Sequence, residues 1–146
     1  MSSKPTLYER DFHAWTAEQA NLLREGRADE ADLANIAEEI DSMGRTEKRE
    51  LSNRIAVLLL HLIKWRFQPA LRGRSWRATV AGQRVDIEDL LEDNPSLRSS
   101  LHQYIGHAWR RALIEAERET GLDKSSFPQD CPWDPARILD DAFWPE

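Results

Sequence analysis

Two groups of residues in this 146-residue chain have the types and spacing that chemistry needs. The first is a polar seam. Advancing about 100° per residue from Leu33 puts Glu39, Glu47, Glu50, Arg54, His61, Lys64 and Gln68 between about −40° and −140° of one helical wheel. Glu39, His61 and Lys64 are the acid–base candidates, because an imidazole beside a carboxylate and an amine can pass protons near neutral pH. The second group is basic. From Lys64 to Arg84 there are six bases (Lys64, Arg66, Arg72, Arg74, Arg77, Arg84) and no acid, interleaved with Trp65, Phe67 and Trp76. Arg72, Arg74, Ser75, Arg77 and Arg84 could hold a phosphate, a carboxylate or an acidic partner, with Ser75 expected to cap a new helix whose free N–H groups favour anions.

Each candidate also has a structural reading. Glu47 falls inside the apolar arc of the wheel, where a carboxylate needs a cation from another helix, and Arg54 and Arg84 are the nearest choices. Glu47, Glu50 and Arg54 thus read as a buried ion-pair network that fixes helix registry. The hinge arginines read as partners of the chain's own acids, and His61, between Leu60 and Leu62, reads as a hydrogen-bonded core histidine. Cys131, the one cysteine, would need a histidine folded beside it to act as a nucleophile. Helix-borne metal sites use Glu-x-x-His pairs or histidines four apart, and neither occurs. His102 and His107 are five apart, about 140° around a helix. No metal and no cofactor is expected, and there is no glycine-rich phosphate loop, nucleophile elbow or paired CxxC.

The elements that must position these groups are helical. One apolar phase runs through Leu33, Ile36, Ala37, Ile40, Met43, Leu51, Ile55, Leu58, Leu62 and Trp65, in steps dominated by three and four. Leu33 and Leu51 stand 18 residues apart, about five turns. One long helix, or two in near-coaxial succession, is required. Gly44 is the weak point, and Thr46 the cap of a restart. This helix is expected to open at Asp29 or Glu30, with Asp32 in its first turn, and to stop before Pro69. An earlier helix is expected from Phe12 to Arg24, capped by Asp11 and ended at Gly26. Beyond the hinge, one helix is predicted from Ser75 to Asn94 and another from Pro95 to Gly121. The tail carries four prolines, yet Phe127, Trp133, Ile138, Phe143 and Trp144 make it apolar enough to pack back, with a helical turn over 135–141 capped by Asp134.

Composition bounds the class. Apolar residues form 40% of the chain and charged ones 32%, and the net charge is −6. With six bases in the hinge, the rest carries −12, so a general nucleic-acid binder is disfavoured. The longest apolar run, Ile55 to Leu60, is far below the roughly 20 residues of a membrane helix. The first residues contain no apolar stretch of a secretory signal, and a lone cysteine forms no internal disulfide; both point to the cytoplasm.

Three blocks of residues carry a family likeness. The first is Tyr8-x-x-Asp11-Phe12-x-x-Trp15, Gln19-Ala20-x-Leu22-Leu23-Arg24 and Ala37-Glu38-Glu39-Ile40-x-x-Met43-Gly44-Arg45. The second is Glu50-Leu51, His61-Leu62-x-Lys64-Trp65, Gln68-Pro69, Ser75-Trp76-x-x-Thr79 and Gln83-Arg84. The third is Glu119-Thr120-Gly121-Leu122, Phe127-Pro128, Cys131-Pro132-Trp133 and Ile138-Leu139-Asp140. Nearly end to end, the chain resembles the bacterial family known as domain of unknown function 29 (DUF29). The resemblance implies a small all-helical bacterial protein and supplies no activity or catalytic residue.

The expected architecture is therefore all-α. It is a single domain over 1–146, an irregular bundle of about four main helices, with a flexible N-terminus over 1–10 and a Pro-rich apolar tail over 122–146 packed on it. The expected role is a non-enzymatic protein-interaction module whose basic hinge binds an anion or an acidic protein, or pairs with a second copy as a homodimer. The rival is a small enzyme with Glu39, His61 and Lys64 beside an anion held by Arg74 and Arg84. It requires a concave pocket that joins those five side chains. A third reading, a nucleic-acid-related or antitoxin-like regulator, requires binding that collapses with salt.

Overall fold

The computed structural model describes residues 4–146, and these form helices and turns with no strand. The all-α expectation holds. No helix among the described residues is long and apolar enough to cross a membrane. The chain divides into two compact units, one up to Thr46 and one from Glu47 onward, where a single domain is expected from the sequence.

In the first unit, helix α1 (Leu7–Arg10) is a single turn capped by Thr6, whose hydroxyl oxygen accepts from the Glu9 N–H. It occupies part of the segment 1–10 expected to be flexible; residues 1–3 lie outside those described. Asp11 then caps helix α2 (Phe12–Arg24), its carboxylate accepting from the Ala14 N–H at 3.0 Å. Gly26, at φ +74°, turns the chain out of α2, a backbone state that a side chain would strain. Asp32 stands just before helix α3 (Leu33–Phe67) rather than inside its first turn. Its carboxylate accepts from the Asn35 side chain at 2.7 Å and from the Trp15 indole at 3.3 Å, and its N–H donates to Gln19 at 2.7 Å. Trp15 and Gln19 are the buried residues of this unit among those described.

Helix α3 is unbroken for 35 residues. Gly44 lies inside it, and Thr46 caps nothing; its hydroxyl donates back to the Ser42 carbonyl at 2.9 Å. A glycine in a helix costs only about 1 kcal/mol against alanine, too little to end a helix that is packed further along. The apolar phase is kept, but its burial is not uniform. Leu33, Ile40 and Met43 are 55%, 62% and 68% exposed, whereas burial begins at Leu51.

The second unit builds its core from α3 beyond Leu51, helix α4 (Arg74–Asp93), helix α5 (Leu101–Thr120) and the tail. A 3-10 turn, Pro69–Leu71, separates α3 from α4. A 3-10 segment, Pro95–Ser100, fills the stretch expected to begin the next α-helix. Gly121 ends α5 at φ +74°. In the tail, Phe127, Trp133 and Ile138 are buried, and helix α6 (Pro135–Leu139) is capped by Asp134. The Trp109 indole donates to the Pro128 carbonyl at 3.1 Å, and its ring meets Trp133 edge-on. A buried indole N–H is thereby satisfied as the two large rings pack.

Arg84 fastens the end of the chain. It is 2% exposed and lies in register with the buried Val80, Ile87 and Leu91 on α4. Its guanidinium donates to the carbonyls of Ile138 at 2.8 Å, Phe143 at 2.8 Å and Asp141 at 3.5 Å. The Trp144 ring lies beside it, 5.6 Å from the guanidinium carbon. Burial lowers the pKa of this group, and the nearby carboxylates of Asp141 and Asp140 oppose that shift.

Replacing Arg84 by methionine keeps most of the volume but leaves tail carbonyls without donors, so denaturant unfolding should show a loss on the order of 3 kcal/mol. Arg84→Lys should recover little of it, because an ammonium group lacks the fork that reaches several carbonyls at once. Full recovery by lysine would mean that charge alone holds the tail.

Candidate functional site

The acid–base candidates divide between the two units, Glu39 in the first and His61 and Lys64 in the second. Glu39 belongs to the first unit, where the Tyr8 hydroxyl donates to its carboxylate, and this bond is the main reason the Tyr8 pKa is raised. His61 follows 22 residues later on α3, about six turns on. Its Nδ1 donates to the Val57 carbonyl at 2.8 Å, one turn back along the helix. Burial pushes its pKa down and Lys64 adds to that, while the Val57 carbonyl and Glu119 oppose it. Lys64 pairs with Glu119 at 3.3 Å and lies 4.9 Å from the Trp76 ring centre. Of the five side chains that the enzyme reading requires in one pocket, His61 alone lines the groove of about 410 Å³ between α3 and α5.

The expected network also changes membership. Arg54 binds Glu50 at 3.1 Å and Asp86 at 2.9 Å, so it joins α3 to α4. These side chains are partly exposed rather than buried, and Glu47 makes no ion pair among the described residues. Glu47 does face the apolar arc, but it precedes the point where that arc becomes covered. Its carboxylate stays half-exposed and requires no cation.

At the basic hinge the structure separates two members from the rest. Arg84 is committed to the tail, and Ser75 is not the cap of α4. Gly73 stands at the N-cap position with no side-chain hydrogen bond, the helix begins at Arg74, and Ser75 is exposed in the first turn. Arg72 donates from Nε to the Trp65 carbonyl at 2.7 Å. Arg72 and Arg77 both lie over the Trp65 ring, at 5.0 and 5.4 Å, and Trp65 in turn packs on Trp144 at 4.3 Å. A tryptophan face attracts guanidinium groups, so this stack orders two cations without consuming their charge. Arg66, Arg72, Arg74 and Arg77 form no ion pair among the described residues.

Two clefts lay beyond sequence reasoning, because they form between segments distant along the chain. One, of about 670 Å³, lies between α5 and residues 124–130, with Ile114, Phe127, Arg110 and Lys124 on its walls. The other, of about 260 Å³, has Cys131 and His102 among the residues on its walls. Burial raises the Cys131 pKa, which keeps the sulfur protonated, and Sγ lies 3.4 Å from the Trp133 carbonyl. A protonated thiol is a poor nucleophile. No group of three His, Cys, Asp or Glu among the described residues is placed to hold a metal ion.

A family model described as "Domain of unknown function DUF29" matches residues 7–144. No curated protein and no solved structure matches the chain.

The depressed pKa of His61 gives a signed pH effect. The unfolded chain binds the proton more readily than the folded one, so the stability tied to a neutral His61 is complete above about pH 6.5 and is lost as the pH falls below it. Melting should therefore show wild type losing more stability than His61→Gln between about pH 8 and about pH 5. Parallel losses in the two proteins would remove His61 from the titration.

Proposed function

For a chain that belongs to the DUF29 family, we propose a non-enzymatic role: a protein-interaction module whose basic face around the start of α4 docks an acidic partner. The observation that carries this reading is the charge of Arg66, Arg72, Arg74 and Arg77, none ion-paired among the described residues and two of them held over the Trp65 ring, on a protein whose net charge is −6. Arg74 and Arg77 are exposed, and no side chain caps the N-terminus of α4 between them and Arg72. Forked donors held over an aromatic ring lose little freedom when a carboxylate arrives. The enzyme reading has less behind it, since Glu39 and Lys64 are occupied by Tyr8 and Glu119, and Arg84 by the tail. The single cysteine and the absence of disulfides suit a reducing bacterial cytoplasm.

Trp65 lies under two of these arginines and reports directly on the face. Titration with a Glu-rich peptide at low salt should change the tryptophan emission and saturate, and added salt should weaken the binding. In the Arg74→Glu/Arg77→Glu variant the affinity should fall by about tenfold or more, with melting temperature retained. Equal affinity in wild type and variant, or tighter binding of single-stranded DNA than of the peptide, would overturn the reading.

A further inference from the structure

The larger cleft beside α5, of about 670 Å³, has the build of a small-molecule site. Arg110, Leu113 and Ile114 line it from α5, and Lys124, Phe127 and Asp130 from the segment that follows. Leu113 and Phe127 belong to the buried core, so part of the wall is the core itself. Among the described residues Ile114 is the exposed large apolar side chain of α5, at 61%. Three hydrogen bonds fix the segment opposite α5. Glu117 accepts from the Lys124 N–H at 2.7 Å, Asp123 accepts from the Ser125 N–H at 2.9 Å, and the Trp109 indole holds the Pro128 carbonyl. The Phe127 ring also meets Phe67 edge-on at 5.1 Å. A cleft held open in this way needs little further ordering when a ligand enters.

The charges on the walls say what class of ligand fits. Arg110 and Lys124 make no ion pair among the described residues, and Asp130 pairs with neither of them. Two bases and one acid leave the cleft with a single excess positive charge. That balance suits a monoanion better than a phosphate dianion, which Asp130 would oppose. The apolar wall calls for a hydrocarbon body. We infer that this cleft binds an amphipathic monocarboxylate. Its chain or ring covers Ile114, Leu113 and Phe127, and its carboxylate is drawn to Arg110 and Lys124. The site uses none of the arginines around the start of α4, so it stands apart from the acidic-partner reading.

Octanoate is the probe, with octanol as its uncharged counterpart and inorganic phosphate as an anion without an apolar body. Titrated with octanoate, backbone amide shifts should move and saturate, most strongly in residues 110–114 and 124–130. Octanol and phosphate should each bind more weakly by about tenfold or more. Arg110→Gln/Lys124→Gln and Ile114→Asp should each weaken octanoate by a similar factor, about tenfold. Arg110, Ile114 and Lys124 are all exposed, so both variants should keep native helical circular dichroism. Arg74→Glu/Arg77→Glu should bind octanoate as wild type does, which separates this cleft from the basic face. Absence of saturation, equal binding of octanol or phosphate, or wild-type affinity in either cleft variant would overturn the inference. So would loss of octanoate binding in Arg74→Glu/Arg77→Glu, or tighter binding of a peptide with a free C-terminal leucine, which would give the cleft to a protein partner.

Discussion

The structure depends on one helix that runs through two environments. Helix α3 keeps a single apolar phase for 35 residues, yet that phase meets a core only from Leu51 onward. Burial of the later part, through Leu51, Ile55, Leu58 and Leu62, supplies the stability that lets the helix continue across Gly44. Continuity then has a chemical consequence. Polar residues that share one side of a helix are strung along it, so alignment on a wheel does not by itself gather a site.

Arg84 is the second constraint. A guanidinium buried among apolar side chains is costly unless its donors are satisfied, and here the tail carbonyls satisfy them. The same contact ties Ile138, Asp141 and Phe143 to α4 and brings Trp144 against Trp65. Trp65 then carries Arg72 and Arg77 on its ring. A chain of contacts thus leads from the end of the sequence to the basic face. One arginine of the run stabilises the fold, and four others make no ion pair among the described residues.

Much of this is legible in the residues themselves. Asp11, Gly26, Pro69 and Gly121 mark helix boundaries because each has a local stereochemical effect that tertiary contacts did not override. The tail aromatics announce their packing by being too apolar for solvent. The role of Arg84 was also within reach, since it falls four residues after Val80 and three before Ile87, in the buried register of α4. Its place in a basic run speaks for its charge, and its buried register speaks for its position.

Other features leave no local trace. Periodicity reports which side of a helix is apolar and not whether anything covers that side, so the exposure of Ile40 and Met43 could not be read from spacing. Glu47 illustrates the same gap, since its place in the arc implied a burial that begins one turn later. Ser75 has the better capping side chain, but the backbone at Gly73 is already extended and the helix starts there. The 3-10 segment after Pro95 and the clefts beside α5 arise from contacts between distant segments.

The central claim, one continuous helix with a covered half and a bare half, is most directly tested by residue-resolved hydrogen exchange along α3 in the monomeric protein. Amides from Leu51 to Trp65 should open only with global unfolding, while those from Ile36 to Met43 should exchange through far cheaper local opening. Equal protection along the whole helix in the monomer would contradict the account.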